Sequence, residues 1–492
     1  MRMDGAISGR RLQMNILFLM LAGTAFGEDS SPTFSATTDT QVWADTTSPF
    51  AVDAEGTQGG QDLHWEGRSR NRLQLDNDSV SVGLGFDAFK GQFSGGTTDN
   101  HPWVDQRSRA DNGIEIIELT ELNISANLKV AQIQTGLVKS HWGLGMLAND
   151  GNHDPMFGHT NFGDKVLRAR ITTKPSAKSP WHITAALDRV IEDDLTIFPQ
   201  LQWTQQAILS ALYAKKGKQF GLYGVARQQT ELYNQRETKV GVIDAFADIS
   251  TEVSSDLTLQ TAFEAAGISG KSNRSTSYNS PQRVHIRSAG ATGIVNAILQ
   301  NQYRIGVAGG WASGDGDSAD DVSNDFTFDR DFGVGMVLFR EVLGGVDEAT
   351  YTLLTDPAYS GQAPDGVEAS VHEGAFRRAS YVQPQLSLQP MDWVEVRAAT
   401  LIAWSTAPIN QPFYSHRNGG VPVNHHGEVT SDYHLGTEVN WGLTLGDKPV
   451  FGKSKLRPSL SIQGGHAFLG DAIDLKGADT RVDRYIATIR VR

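Results

Sequence analysis

The chain has 492 residues, of which 43 are lysine or arginine and 56 are aspartate or glutamate, with a formal net charge of −13 and no cysteine. The acidic balance excludes a protein that holds nucleic acid through a basic surface. The lack of cysteine excludes disulfides, thiolate metal ligands and an anchor attached through cysteine. No apolar run in the sequence reaches the roughly 18 residues of a transmembrane helix.

The N-terminal region predicts export. The apolar run "MNILFLMLAGTAFG", residues 14–27, follows Arg10 and Arg11 and ends at a small-residue site. This arrangement is typical of a secretory signal peptide over residues 1–27, with a short buried helix of a cytosolic protein as the alternative. Residues 28–60 are rich in Ser, Thr, Asp and Gly. We expect them to form a flexible polar leader before a folded body of residues 61–492.

The rest of the chain alternates apolar with polar or small residues. In "NQYRIGVAGGW", for example, Tyr303, Ile305 and Val307 share one face and Arg304 lies on the other. A period of two indicates β-strands. Many of these segments approach the roughly 9–11 residues that cross a bilayer at a tilt, and Tyr and Trp often stand at their ends, as in the aromatic girdles of membrane barrels.

These features predict an all-β fold. A sheet with a lipid-exposed face tolerates no open edge and must close. We therefore predict a closed antiparallel transmembrane β-barrel in the bacterial outer membrane. Sixteen segments are clear strands and about two more are doubtful, which predicts 16–18 strands, and 18 is favoured because such barrels have an even number. We expect short periplasmic turns and long external loops, the latter near residues 91–112, 139–163, 190–203, 267–282, 313–331, 345–373 and 405–430. A secreted β-solenoid or multi-sandwich protein is the alternative.

Basic residues recur on the polar faces of these strands. An arginine on the lipid face costs about 2–4 kcal/mol at the membrane midplane, so we expect them in the lumen. The predicted lumenal, solute-contacting set is Glu66, Arg68, Arg70, Arg72, Arg168, Arg170, Arg283, His285, Arg287, Arg304 and Arg397. Such a set can form an electropositive constriction that passes anions. It can equally pair with lumenal glutamates and brace the barrel, and both interpretations can hold together.

An aspartate-rich segment, residues 310–344, interrupts the strands. Its first four predicted site residues, Asp315, Asp317, Asp320 and Asp321, offer oxygens to a calcium ion, although the EF-hand frame is missing. The alternative is a solvated or salt-bridged loop. The following "NDFTFDRDFG" is predicted to fold into the barrel mouth as a gate or constriction, where its charged residues meet lumenal arginines. These residues are Asp325, Asp329, Arg330 and Asp331.

An enzymatic function has the least support in the sequence. The segment "VNHHGEVTSDYH", residues 423–434, groups histidines with Glu428 and Ser431. Adjacent histidines of an extended chain point to opposite sides, and the sequence has neither G-x-S-x-G nor H-E-x-x-H. We predict no enzyme, no catalytic residue and no cofactor beyond the calcium option. The histidines at 141, 153 and 159 are predicted to be solvated loop residues.

Three stretches resemble a known family. They are "SHWGLGMLANDGN" (residues 140–152), "SGDGD" with "NDFTFDRDFGVGMVLFREVL" (residues 313–343), and the strand "LHWEGRSRNRLQLD" (residues 63–76). They look like stretches of outer-membrane β-barrel proteins of an uncharacterised myxobacterial type, distantly related to alginate-export porins. The resemblance implies an outer-membrane barrel of about 18 strands with a polar lumen, and no established substrate.

The functional hypothesis is a porin-like channel that lets ions or small hydrophilic solutes, anions among them, diffuse through an arginine-lined lumen. The alternative is a non-conducting barrel that serves as a structural anchor, adhesin or docking protein, and ordered loops that close the lumen would favour it. The predicted partners are outer-membrane lipid, lipopolysaccharide and small hydrophilic solutes, without nucleic acid. The sequence does not predict an oligomeric state.

Overall fold

A computed structural model of the chain describes residues 32–53, 55–95, 114–160, 163–197, 202–317, 319–359, 366–367, 372, 374–446, 456–473 and 481–492. The predicted signal peptide, residues 1–27, lies outside the described residues. No helix in the described part of the chain is long and apolar enough to cross a membrane.

Eighteen long strands in the described residues form one closed antiparallel barrel, as predicted. Each strand pairs with its neighbours in the chain, and the sheet closes because β1 pairs with both β2 and β20. Two-residue strands β8 (Thr196–Ile197) and β15 (Val322–Ser323) are additional to the barrel. The barrel strands are β1 (Thr33–Ala51), β2 (Gln58–Asp76), β3 (Val80–Gly95), β4 (Glu115–Asn127), β5 (Ala131–Lys139), β6 (Lys165–Thr173), β7 (Trp181–Asp193), β9 (Gln202–Lys215), β10 (Lys218–Glu231), β11 (Glu237–Glu252), β12 (Leu257–Ser272), β13 (Val284–Leu299), β14 (Tyr303–Ala312), β16 (Ala379–Met391), β17 (Val394–Ser405), β18 (His434–Gly446), β19 (Pro458–Leu469) and β20 (Arg481–Val491).

The prediction of a flexible leader over residues 28–60 is wrong for the segment Thr33–Ala51. Residues 33–51 form β1, a barrel strand that runs antiparallel to β2 from Thr33 opposite Asp76 to Ala51 opposite Gln58. The segment is polar because one face points into the lumen, where Gln41 is buried. A barrel cannot leave an edge open in lipid, so this strand is what closes the sheet. The barrel therefore begins at Thr33 and not at residue 61.

The barrel wall is apolar outside and polar inside. Ile243 is 73 % exposed on the outer face, while its chain neighbour Asp244 is 0 % exposed and points inward. Leu187 and Leu209 likewise stand out from the wall. This alternation is the pattern of a barrel whose outer surface meets lipid.

The two rims differ in the length of their connections. One rim carries tight turns, such as residues 77–79, 128–130, 216–217, 300–302 and 392–393. The other rim carries long segments, such as residues 140–164, 313–378 and 406–433, the last with a short helix at Pro412–Arg417. In bacterial outer-membrane barrels the short turns are periplasmic and the long loops extracellular, which fixes the orientation used below.

The longest connection, residues 313–378, folds into the barrel; we call it the inserted loop. Two separate external loops at 313–331 and 345–373 were predicted, and this is wrong, because the apolar run between them lies inside the barrel. That run contains a π-helical turn, Leu338–Leu343, which is continued by an α-helix, Gly344–Thr355, and a 3₁₀ turn, Pro357–Tyr359. The side chains of Phe326, Phe328 and Met336 pack with inward residues of the wall into one hydrophobic core.

Buried charges fix the inserted loop to the wall. The Glu438 carboxylate on β18 accepts hydrogen bonds from the backbone N–H groups of Met336 (2.6 Å) and Leu338 (2.7 Å). Arg484 on β20 is fully buried, pairs with Asp45 of β1 (2.5 Å) and with Glu341 of the inserted loop (2.8 Å). These contacts join the π-helical turn to strands β18, β20 and β1 on one side of the lumen.

Candidate functional site

The candidate site is a cavity of about 200 Å³ inside the barrel along strands β2 to β6. Four basic residues border it, and we call them the basic wall: Arg72 of β2, Lys139 of β5, and Arg168 and Arg170 of β6. Glu121, Asp150 and several amide side chains complete the lining. Arg72, Arg168 and Arg170 are among the residues predicted to face the lumen, and their contact with solute stays a prediction.

The four cations of the basic wall differ in how well they are neutralised. Arg168 makes a close ion pair with Asp188 (2.7 Å), and Arg72 makes a longer one with Glu121 (3.4 Å). Within the described part of the chain, Arg170 donates only to the amide oxygen of Gln132 (3.3 Å). The Lys139 ammonium is buried and has no hydrogen-bond partner among the residues that the structure describes.

The other predicted residues of β2 lie in the lumen but are engaged by a second inward loop, residues 140–164. Arg68 is buried and donates to the Thr160 carbonyl (2.7 Å). Arg70 pairs with Asp87 (3.0 Å) and donates to the Gly151 carbonyl (2.7 Å). Glu66 lies 3.1 Å from a ring nitrogen of His64. Arg68 and Arg70 brace the loop, in line with the bracing alternative, whereas Glu66 contacts a residue of its own strand. Contact of all three with solute stays a prediction.

Two further predicted arginines lie elsewhere in the lumen. Arg397 of β17 donates to the Met156 carbonyl of loop 140–164 (2.7 Å), and its guanidinium lies 5.7 Å from the Phe157 ring. Arg304 of β14 is exposed next to the short turn at residues 300–302, on the face opposite outward-pointing Ile305. Neither borders the cavity of the basic wall.

The prediction that Arg283, His285 and Arg287 face the lumen is wrong. On β13 the even-numbered residues point inward, since Ser288 and Thr292 are buried. The unbroken register with β12 keeps that alternation up to Val284, so His285 and Arg287 point outward, and Arg283 is exposed just beyond the strand. These outward charges are tolerated because they lie near the membrane interface. An outward charge costs about 2–4 kcal/mol at the midplane but only about 0–1 kcal/mol near the interface.

The predicted gate residues lie inside the barrel, where the inserted loop meets the wall. Asp325 lies between Arg377 (2.6 Å) and Arg378 (2.5 Å). Burial alone would raise the pKa of this carboxyl group, but the two guanidinium groups hold it well below its usual range. The loop is therefore salt-bridged at this point, and a gating role stays a prediction.

The remaining gate residues are also buried. The Arg330 guanidinium lies 2.9 Å from the carboxylate of Asp194, which follows β7. The Asp329 carboxylate accepts from the backbone N–H of Asp331 (2.8 Å). Burial, reinforced by the nearby Asp194 and Asp164 carboxylates, raises the pKa of Asp329 well above its usual range.

The predicted calcium ligands act mainly as turn formers. Asp315, Asp317 and Asp320 each accept a hydrogen bond from a backbone N–H two residues later. Among the described residues these aspartates and Asp321 do not bring three ligand atoms within 4.8 Å of one another. Calcium binding at this loop stays a prediction.

Sequence reasoning missed several residues of the site. Lys139 was placed at the start of a loop, and it is the last residue of β5. The carboxylates that neutralise the arginines were also missed, although strand register could have found them. Asp188 stands directly across from Arg168, and Asp87 directly across from Arg70. Opposite charges at facing positions of neighbouring strands are a signal that the sequence contains once the strand order is known.

Loop 140–164 holds one group that the sequence analysis treated as solvated. His141, Asp150 and His153 place three potential ligand atoms within 4.8 Å of one another. The His141 and His153 rings stack at 4.3 Å, and His153 lies 3.1 Å from the Asp150 carboxylate. That hydrogen bond raises the pKa of His153.

The fold is that of 18-stranded porins of the Gram-negative outer membrane. Acinetobacter baumannii OccAB1 superposes with a TM-score of 0.54 at 10% identity, covering 95% of this chain and 97% of that chain. Pseudomonas aeruginosa OpdK with vanillate gives 0.51 at 10% identity, covering 93% and 98%. Pseudomonas aeruginosa OccK8 (OprE) gives 0.51 at 9% identity, covering 95% and 98%. No protein-family model and no curated protein matches the sequence.

These neighbours belong to the Occ/Opd porins, the OprD family, and at such low identity the likeness concerns the fold alone. The closed barrel of 18 strands implied by the sequence resemblance is confirmed. Its link to alginate-export porins is not supported by these neighbours.

Proposed function

We propose that this protein is an outer-membrane channel for small hydrophilic solutes and that its passage favours anions that carry a carboxylate. The observation that carries the proposal is the pair Lys139 and Arg170. Both face the same cavity, and neither has a carboxylate within ion-pair distance among the described residues. In a chain of net charge −13, a cavity bordered by four cations and two carboxylates is a local feature and not a consequence of composition.

The charge of the basic wall is large enough to matter. An anion about 4 Å from one unpaired cation gains about 4 kcal/mol at an effective dielectric constant near 20, before its own dehydration is counted. The fixed guanidinium plane of Arg170 also suits two-point contact with a carboxylate. We therefore assign solute contact to Lys139, Arg170 and Arg72, and a bracing role to Arg68, Arg70 and Arg168.

Two further facts support a channel. A barrel of this strand number leaves an aqueous lumen wherever loops do not fill it, and the cavity lies between the wall and loop 140–164. The structure of OpdK, a neighbour in fold, was solved with vanillate, which is a small carboxylate. By extension we propose small aromatic or aliphatic carboxylates as the solute class.

The second candidate function is a non-conducting barrel that serves as an anchor or docking protein. The observation that favours it is the hydrophobic core of the inserted loop, which fills part of the lumen. That reading predicts no ion current through the folded protein. A channel predicts current that passes beside the core, along the basic wall.

The test of the solute class uses refolded protein in planar bilayers. We expect millimolar vanillate to interrupt the KCl current, while uncharged vanillyl alcohol does not, because only the former meets the cations of the cavity. The double variant Lys139→Gln/Arg170→Gln should lose at least about 1.4 kcal/mol, or tenfold, in apparent vanillate affinity.

The matched control removes two lysines from the tight turn at the opposite rim, Lys215→Gln/Lys218→Gln, both exposed. It should respond to vanillate as the wild type does. Equal interruption of wild type and the Lys139/Arg170 variant would refute the role of the basic wall.

A further inference from the structure

The outer wall of the barrel carries a second basic cluster, distinct from the lumen. Lys239 of β11 stands directly across from Lys271 of β12, which in turn stands directly across from His285 of β13. Arg287 is diagonal to Lys271, because it stands opposite Ser269. Side chains at such positions lie within about 5–8 Å of one another. We call Lys239, Lys271, His285 and Arg287, with Arg283 beyond the strand end, the rim patch.

The rim patch points away from the lumen. Its members share the face of β11 to β13 on which Ile243, Phe263 and Val295 are exposed. The intervening residues Asp244, Glu264 and Thr292 are buried inside the barrel. Register is continuous along both strand pairs, so the alternation holds up to the loop-bearing rim.

The rim patch lies above the apolar band of the wall. From outward-pointing Leu299, next to the short turn, to Arg287 the strand rises roughly 41 Å, or roughly 31 Å along the barrel axis at a tilt near 40°, against a band of about 25 Å. Trp311, an outward aromatic residue of the kind that marks an interface, stands opposite Ala291 and therefore below Arg287. The patch is thus level with the lipid head groups of the outer leaflet.

Most of the charge in the rim patch is not neutralised by the protein. Among the described residues Lys271, Arg283 and Arg287 form no ion pair, whereas Lys239 pairs with Glu237 (2.6 Å). Lys239, Lys271, Arg283 and His285 line a surface groove of about 470 Å³, together with the carboxylates Glu237 and Asp321. Two lysines directly across from each other on neighbouring strands repel, so an anion between them would relieve the repulsion.

A shallow apolar trough continues from the rim patch toward the membrane. It is bordered by small outward residues, Gly241, Gly267 and Ala289, with Ile243 below and Arg287 above. Where side chains are this small, the wall recedes and leaves room for a chain of methylene groups. A phosphate-sized anion site at head-group height lies directly above an apolar trough. Such a pair fits a single molecule that carries both a phosphate group and an acyl chain.

We propose that the rim patch and the trough bind a phosphorylated glycolipid of the outer leaflet, the lipid A part of lipopolysaccharide. Lys271 and Arg287 hold a phosphate of the sugar head group, Lys239 and Arg283 flank it, and an acyl chain lies over Gly241 and Gly267. The inference is independent of the channel function, because every residue involved points away from the lumen.

The test compares lipid binding by refolded protein in non-ionic detergent micelles. Wild type should bind bisphosphorylated lipid A at least about tenfold more tightly than the variant Lys271→Gln/Arg287→Gln does, measured with a fluorescent lipid A and checked by native mass spectrometry. Enzymatically dephosphorylated lipid A should bind both proteins with the weaker affinity. The control Lys215→Gln/Lys218→Gln, at the periplasmic rim, should match the wild type.

Three results would overturn the proposal: equal affinity of the wild type and the Lys271/Arg287 variant, equal affinity for the two lipids, or displacement of lipid A by inorganic phosphate at lipid-like concentrations. The shift between folded and heat-denatured bands of the variant in gel electrophoresis serves as the folding check, and we expect it to equal that of the wild type. Arg287→Gln alone, with a smaller change to the surface, should give an intermediate affinity. A failure of the channel proposal would appear in the conductance and not in the lipid titration.

Discussion

The attachment of the inserted loop by Arg484 leads to a sharp prediction. Arg484 is fully buried, pairs with Asp45 and Glu341, and donates to the Met336 carbonyl (2.9 Å). Replacing it with methionine keeps most of the volume but removes the guanidinium group that pairs with two buried carboxylates. We therefore expect Arg484→Met to release the π-helical turn Leu338–Leu343 from the wall while the barrel stays closed.

The expected magnitude follows from the burial of the pair. Removing one partner of a buried ion pair costs about 3–5 kcal/mol, which raises the population of the detached turn roughly 150- to 4,000-fold. Detachment exposes Arg340, which is buried in the intact protein. Trypsin cleavage after Arg340 reports that population when opening is fast relative to cleavage.

The assay is limited trypsin digestion of refolded protein, with the cleavage site identified by mass spectrometry. Wild type should resist cleavage after Arg340, and Arg484→Met should be cut at least about 100-fold faster there. The matched control is Arg481→Met, which removes an exposed arginine on the same strand whose ion pair with Asp483 lies at the surface. A cleavage rate in Arg484→Met within about threefold of the control would refute the reasoning, since that is less than 1 kcal/mol.

Three further predictions concern the two inward loops. The depressed pKa of Asp325 means that its pairing with Arg378 stabilises the inserted loop fully above about pH 4. This contribution is lost as the pH falls through the folded-state pKa, and the loop should then lose its resistance to protease. Asp325→Asn should lose that resistance already at pH 7. The raised pKa of His153 means that its bond to Asp150 contributes fully below about pH 6.5 and is lost as the pH rises through the folded-state pKa. Protection factors for amide exchange at residues 150–153, which remove the intrinsic pH dependence of exchange, should therefore fall between pH 6 and pH 8 in wild type but not in His153→Phe. Phe328 is 1 % exposed and packs among aromatic rings. Its change to alanine should lower the free energy of unfolding by about 3–5 kcal/mol, seen as a lower urea midpoint. An unchanged midpoint would contradict a packed lumenal core.

The barrel could be predicted from the sequence because each strand obeys one rule along most of its length. Lipid outside and water inside impose a period of two, and closure imposes an even strand number. The rule failed at β1, whose Ser- and Thr-rich composition resembles a leader until its pairing with β2 and β20 is known. Pairing partners distant in the chain leave no local signal.

The site was less predictable because the inside of this barrel is not uniformly wet. Where the inserted loop packs on the wall, inward residues are apolar, as with Ile486, which breaks the alternation of the last strand and is buried in the core. On β13, likewise, apolar Val284 points inward and charged Arg287 points outward. Sequence alternation shows which residues share a face, but height in the membrane and loop insertion decide which face is the lumen.

The most direct test of the channel is single-channel recording of the refolded wild type in planar bilayers under a KCl gradient. We predict stable current steps and a reversal potential that shows anion preference, which shifts toward no preference in Lys139→Gln/Arg170→Gln. Absence of current steps in folded wild type would contradict the channel and leave the non-conducting barrel. Current with the same ion preference in both proteins would contradict the basic wall as its determinant.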